Sequence, residues 1–329
     1  MTIIQTAAGI QFFFTGLEDR FWAAYGVAAE FTDNLCTTVP SSTEQQVYGW
    51  IGKIDKMREW VGARVTHSPA AQSYTLVNQP YELTETIDKF KIEDDQFGIY
   101  APLATQLGWQ AKKWTDYQLR DLLQNTGTQI GARQKGLDGL NHWSTVHPVD
   151  FYDAAKGTYS NDFRGGFAVN GITVGGALTP QGYATLRQEI MSRKGEDGEP
   201  LGLIPDLLVV PPQLEGAGKM ILTADYFAPQ TYANVGLGTN VGAQQNILKG
   251  SASLLMVPEL AGQPTTWYLL CTNRAVKPFV FQQRQAVNFV YRINEQDPVV
   301  FDKHQYIFGT DARGAVGWSH AWLSAISSP

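Results

Sequence analysis

The stretch from Tyr74 to Pro102, YTLVNQPYELTETIDKFKIEDDQFGIYAP, decides how this chain is organised. Its first half has strand character. Tyr81, Leu83 and Glu85 are interleaved with Glu82, Thr84 and Thr86, a partial period of two. Pro80 cannot donate to a ladder, so it confines the start of that strand to an edge or a bend. Upstream lies VYGWIGKIDKMREWVGARV at 47–65, and HSPAAQS at 67–73 reads as a loop tip between the two. Together they predict a long two-stranded excursion from about 58 to 92. A two-stranded ribbon is marginal alone in water. It therefore calls for a neighbouring surface, which a second subunit could supply.

The second half of the stretch sets three carboxylates side by side, Glu93, Asp94 and Asp95. Adjacent residues on one strand or helix cannot all point into one site, so a junction suits them better than an ion. Lys91 and Ile92 end a strand in this reading, and Asp94 or Asp95 caps a short helical turn by accepting backbone N–H bonds. Pro102 then fits the first position of a new helix, where its missing N–H costs nothing. The stretch thus reads as a hinge between ribbon and helix.

Beyond the hinge, residues 102–125 carry the strongest helical pattern. Leu103, Leu107, Ala111, Trp114 and Leu122 share a stripe flanked by Leu119 and Leu123. At about 1.5 Å per residue this is roughly 35 Å, long for a globular domain. At the other end, GLEDRFWAAYGVAAEF gives a helix with Leu17, Phe21, Ala24, Tyr25 and Ala28 on one face and Glu18 and Asp19 in its first turn. Residues 1–15 are apolar without clear period and are expected to lie as an arm on something else. Residues 150–178 read as surface loop. Thr179 and Pro180 start a helix with stripe Tyr183, Leu186 and Ile190, ended by Gly195. IPDLLVVPPQLEGAGKMIL reads as a buried strand, a proline corner and another helix. The last third is β-rich, with a turn placed at Gly309–Gly314. Helices and strands mix without regular alternation, so the class is α+β.

The chain has 329 residues, 43% hydrophobic and 17% charged, which fits a folded protein of two or more lobes or of one elaborated domain. Its net charge of −6 argues against a protein that reads DNA by neutralising phosphates, though not against non-specific proximity to DNA. Cys36 and Cys271 lack metal or redox spacing and read as free, buried thiols of a reducing compartment. The N-terminus lacks the basic residue of a signal peptide, and no run approaches a membrane span. A cytosolic, soluble product is expected.

Little here suggests catalysis. His142 and His147, with Asp138 and Asp150, could form a metal site, but the spacing matches no metal motif and two loop histidines are the plainer reading. VGLGTNVGAQ has the glycines of a nucleotide loop without a clear strand before it or helix after it. No metal, cofactor or catalytic residue is assigned. The denser cluster is MREWVGAR: Arg58, Glu59, Trp60 and Arg64 combine the residue types that dominate desolvated interfaces. On a marginal ribbon they are expected to make inter-subunit contacts.

These segments resemble the major head subunit of Mu-like bacteriophages. The resemblance is carried by FFFTGLEDRFWAAYG, TVPSSTEQQVYGW, VYGWIGKIDKMREWVGARV and the 74–102 stretch with its helix, densely over residues 12–125. It is thinner over 126–175, and returns in PDLLVVPPQLEGAGKMIL, NILKGSASLLMVPEL and FGTDARGAVGWSHAW. It implies the tailed-phage, Hong Kong 97-like capsid fold. Residues 1–45 would be an N-terminal arm, 46–92 an extended E-loop, and 93–179 the peripheral domain with a spine helix at about 102–125. Residues 180–275 would form the axial domain, and 276–329 would return to the peripheral domain. It also implies a non-enzymatic subunit that assembles with itself into hexamers and pentamers of an icosahedral shell around double-stranded DNA. That shell would be built in the host cytoplasm and persist in the virion. A separate scaffold protein, a portal and a possible decoration protein follow by family analogy; no membrane does. Two other readings remain at this stage: a cellular nanocompartment shell of the same fold, and a metal-dependent hydrolase using His142 and His147.

Overall fold

The computed structural model describes residues 7–51, 71–93, 98–124, 135–136, 138–151, 153–169, 171–227 and 244–329. The chain opens with α1 (Ala7–Val27), α2 (Thr32–Leu35) and β1 (Cys36–Pro40). It continues through β2 (Gln45–Ile51), β3 (Ala71–Val77), β4 (Gln79–Asp88), α3 (Lys89–Glu93) and α4 (Tyr100–Gln124). Five short strands follow, β5 (His147–Pro148), β6 (Thr158–Tyr159), β7 (Asp162–Arg164), β8 (Phe167–Val169) and β9 (Ile172–Val174). Next come α5 (Pro180–Ser192), β10 (Leu207–Val210), α6 (Glu215–Thr223), β11 (Tyr226–Phe227) and β12 (Gln244–Gln245). The last elements are β13 (Ser253–Met256), β14 (Trp267–Leu270), β15 (Phe279–Arg292), α7 (Pro298–Lys303), β16 (Gln305–Trp318) and β17 (Ser324–Ser328).

Two sheets organise these elements. The first has order β13-β10-β14-β17-β7 and mixes parallel and antiparallel pairs. Every residue of β10 and β14 is buried. Alternate residues feed different cores, as a period of two requires. Leu208, Val210, Trp267 and Leu269 pack with Tyr183, Leu186 and Ile190 of α5 and with Ile221 and Leu222 of α6. Leu207, Val209, Tyr268 and Leu270 face the opposite core, with Leu119, Leu122 and Leu123 of α4. Strands covered on both faces read as unbroken apolar runs, here LLVV and WYLL.

The second sheet has order β1-β15-β16-β4, with β15 and β16 forming a long antiparallel pair. Phe279, Phe281, Val316 and Trp318 at one end join the core of the first sheet. Phe289, Tyr306 and Phe308 at the other end pack under α1 and the first half of α4. Helix α4 therefore bridges both cores, with Ala104, Leu107 and Ala111 in one and Leu119, Leu122 and Leu123 in the other.

The α+β class and the sequence-predicted stripe of α4 stand, and several local expectations change. Helix α1 begins nine residues before Gly16, and Ile10, Phe14, Leu17, Phe21 and Ala24 form one buried stripe. Glu18 and Asp19 accordingly sit mid-helix, not in a first turn. The ribbon ends at Val77: β4 leaves it and pairs with β16 from Gln79 to Asp88 as an edge strand, the place Pro80 predicts. No turn occurs at Gly309–Gly314, since β16 runs straight through both. These glycines serve close approach instead. A Cβ on Gly309 would lie 2.6 Å from the Leu83 carbonyl oxygen, and one on Gly314 would lie 2.5 Å from that of Gln282. Residues 150–178, expected as loop, contain β6–β9, with β8 and β9 paired as a hairpin. Thr179 caps α5 by accepting from Gly182 N at 3.0 Å, as expected, but the helix ends at Ser192, before Gly195. Cys36 and Cys271 are buried and free. No helix among the described residues is long and apolar enough to cross a membrane.

Candidate assembly surface

The ribbon is real in its base. Strands β2 and β3 pair antiparallel from Gln45↔Val77 to Ile51↔Ala71, and among the described residues neither joins another sheet. Local polar chemistry fixes where it leaves the body. Asn78 Nδ2 donates to Ser41 Oγ at 3.0 Å and to the Thr43 oxygen at 2.9 Å, while Asn78 N donates to the Glu44 oxygen at 3.0 Å. Tyr48 Oη donates to Gln282 Oε1 at 2.9 Å, and Gln282 Nε2 donates to the Leu76 oxygen at 3.2 Å. Tyr74 and Leu76 bury against Ala315. Gly317 permits this, because a Cβ there would lie 2.8 Å from Tyr74 Oη. The opposite side remains open, with Val47 57% and Val77 39% exposed. Arg58, Glu59, Trp60 and Arg64 lie in 52–70, outside the described residues.

Of the segment 1–15 expected as an arm, residues 1–6 lie outside the described residues and 7–15 are the start of α1, which packs on α4 and the second sheet. Gly108 allows the helices to touch, since a Cβ there would lie 2.4 Å from the Phe21 carbonyl oxygen. The outward side of α1 keeps Phe12 81% and Val27 78% exposed. Apolar side chains left in water on an arm and on a ribbon are what an interface between copies would cover.

The hinge differs in detail. The strand ends at Asp88, and Lys91 and Ile92 lie in the helical turn α3 rather than in a strand. Asp88 Oδ1 accepts from Phe90 N at 2.9 Å, so Asp88 takes the capping role at this turn. Asp94 and Asp95 lie outside the described residues. Pro102 is the third residue of α4, not the first. The first four N–H groups of a helix lack intrahelical partners, so the ring is tolerated there as well.

His142 and His147 come together, both buried, as a structural knot. His147 Nδ1 contacts Asp138 Oδ2, and its Nε2 faces the His142 oxygen at 2.8 Å and Asn161 Oδ1 at 3.2 Å. His142 Nε2 meets Ser324 Oγ at 2.8 Å, and its ring stacks on Trp318 at 3.5 Å. Burial holds His142 well below the usual histidine range, helped by the nearby His147 and Arg193. Asp150 is elsewhere, paired with Lys156 at 3.0 Å. Both nitrogens of His147 are thus committed to protein partners. Among the described residues no group of three or more His, Cys, Asp or Glu could hold a metal.

Sequence reasoning missed two buried charges. Arg193 follows the last residue of α5 and donates to the carbonyl oxygens of Trp322 at 2.7 Å, Ser324 at 3.1 Å and Ser160 at 2.8 Å, tying three segments together. Asp116 accepts from Phe31 N, Thr32 N and Thr32 Oγ1 at 3.1, 3.0 and 2.6 Å, pinning α2 to α4. Nothing in the sequence singled out Asp116, which is one of five charged residues on α4 with Lys112, Lys113, Arg120 and Asp121.

Comparison with known proteins supports the architecture along most of the chain. The sequence profile of the Mu-like prophage major head subunit gpT matches residues 10–170, 165–260 and 248–328. The major capsid protein of Escherichia phage Mu is 24% identical over 325 residues, spanning 99% of this chain and 75% of that one. The Mu-like prophage FluMu major head subunit of Haemophilus influenzae is 22% identical over 305 residues, 93% and 68% of the two chains. Among solved structures, a chain from the procapsid of bacteriophage JBD30 superposes with a TM-score of 0.56 at 24% identity, covering 98% of this chain and 76% of that one. The fold is thus the tailed-phage, Hong Kong 97-like capsid fold. The family profile runs through the arm, the ribbon, the spine-like α4 and both sheets, and on that breadth the chain belongs to the family of Mu-like phage major head subunits.

Proposed function

We propose that the protein is a mechanical shell subunit: copies join as hexamers and pentamers and close an icosahedral head around packaged double-stranded DNA. The observation that carries this is the β2–β3 ribbon, anchored on one side and leaving Val47 and Val77 in water on the other. Such a ribbon is stable only against a further surface, and a closed homo-oligomer supplies one at every copy. At about 25 cal/mol per Å² of apolar area, modest contacts repeated around a shell sum to a large stabilisation.

In this reading residues 1–45 are the arm and the E-loop is the ribbon based at 45–51 and 71–77. Helix α4 is the spine of the peripheral domain, and residues 180–275 form the axial domain around the local symmetry axes. Arg58, Glu59, Trp60 and Arg64 contact the neighbouring copy, and the segment holding Asp94 and Asp95 before Pro102 is the hinge between ribbon and spine. The work is structural, not catalytic. A net charge of −6 suits a wall that holds DNA without gripping its phosphates. A scaffold protein and a portal would direct assembly in the host cytoplasm, a decoration protein could add to the shell, and the product is the virion head.

Electron microscopy of the protein expressed alone and with its scaffold tests this. Shells, tubes or capsomers are expected in at least one condition. Small discrete species in both would overturn it.

A further inference from the structure

A cavity of about 460 Å³ opens where the segment after α5, the loop before β15 and the turn before β17 converge. Its size falls in the range of small-molecule sites, roughly 300–1,000 Å³. Leu201, Leu203, Val276 and Leu323 give it aliphatic walls. His320 and Trp322 supply a flat aromatic one, their rings stacked at 4.4 Å and 5° from parallel. Burial lowers His320 to about 4, so this wall carries no charge at neutral pH. The shell-subunit reading leaves the cavity without a role.

Its charge is one-sided. Of the charged residues that line it, Lys194 and Arg274 are cationic and Glu196 is anionic. Lys194 is exposed and makes no ion pair among the described residues. Arg274 braces the mouth by donating to the carbonyl oxygens of Leu201 and Gly202. A third cation, which does not line the cavity, lies against its wall. Arg193 is 3% exposed, and its guanidinium carbon sits 5.5 Å from the centre of the lining Tyr159 ring. It donates to carbonyl oxygens alone, and its Nε has no hydrogen-bond partner. Glu189 is the carboxylate that bears on it, without forming an ion pair. Cations in and behind low-dielectric walls focus a positive field on whatever enters.

We propose that this cavity binds a small aromatic anion, its flat ring system against the His320–Trp322 wall and its carboxylate or sulfonate head towards Lys194. Aliphatic walls and one exposed ammonium suit a single negative charge, not a polyphosphate. The site belongs to the single subunit, so it stands or falls apart from the shell reading. Fluorescence titration of unassembled subunits tests it, with anilinonaphthalene sulfonate and with phenylnaphthylamine, the same ring system without the sulfonate. The sulfonate should bind one saturable site per subunit, more tightly than the uncharged compound. Lys194→Glu should weaken the sulfonate by ~10-fold at low salt, the effect of reversing one charge about 6 Å away in water, and leave the uncharged compound unchanged. Val276→Trp should weaken both compounds by ~10-fold or more by filling the mouth. Both positions are exposed, so both variants should keep the wild-type melting temperature. Absence of saturable binding to wild type, wild-type affinity for the sulfonate in either variant, or equal weakening of both compounds by Lys194→Glu would overturn the site. Release of the bound sulfonate when subunits assemble would also overturn it, because the cavity would then belong to a neighbouring copy.

Discussion

The β10–β14 pair and the β2–β3 ribbon are both antiparallel strands carrying apolar side chains, and they close in different ways. All residues of β10 and β14 are buried, with α5 and α6 on one side and the α4 core on the other. The ribbon buries Tyr74 and Leu76 against Ala315 and Gly317 of β16 and leaves Val47 and Val77 in water. The first region finishes its burial inside one chain. The second has one face finished and one open, so its stability in isolation and its stability in an assembly are separate quantities. That separation is how a subunit can fold alone and still gain a large contact area when copies meet.

The comparison can be strained from either side. The largest effect is expected inside the finished region. Trp267 is fully buried and its indole N–H donates to the Gly176 oxygen at 2.9 Å. Trp267→Ala should cost ~3–5 kcal/mol in chemical denaturation of the subunit, the range of large-to-small core changes; a loss under about 1 kcal/mol would mean this core is not closed as described. Acid should act next. Burial lowers His320 from 6.5 to about 4, and its ring stacks on Trp322 at 4.4 Å. A depressed histidine contributes stability that is complete above pH 6.5 and lost as pH falls towards 4. Unfolding free energy should therefore drop by about 3 kcal/mol across that window, with His142 adding in the same direction. His320→Gln should flatten the slope, and an unchanged slope would remove His320 from the account. Gly314→Ala should cost ~1–3 kcal/mol, because the added Cβ meets the Gln282 oxygen and the strands must part; neutral behaviour would show that β15 and β16 are not packed this closely. The smallest effect on the subunit is expected from Trp60→Ala. Its melting temperature should stay at the wild-type value while assembly is impaired, and equal loss of both would make Trp60 an ordinary core residue.

Much of the plan was readable because periodicity reports burial. The α4 stripe, the Thr179 cap and the runs LLVV and WYLL carried their structure on their face. The failures have specific causes. Gly309 and Gly314 look like turn residues, but glycine also serves close strand approach, and only the neighbouring strands reveal which applies. Residues 7–15 continue the α1 stripe through Ile10 and Phe14, yet the surrounding phenylalanines mask the period. Asp88 caps the turn Lys89–Glu93, which the strand pattern running to Ile92 gave no reason to expect. For the assembly surface, the ribbon's marginality could be argued from sequence. The Asp116 anchor that pins α2 to α4 could not, since it joins residues 85 positions apart.

Hydrogen exchange on free subunits and on assembled particles tests the central claim most directly. Backbone amides of 45–51 and 71–77 should gain protection on assembly, while those of β10 and β14 stay equally protected in both. Equal protection of the ribbon in free and assembled protein would contradict the account, because its burial would then already be complete within one chain.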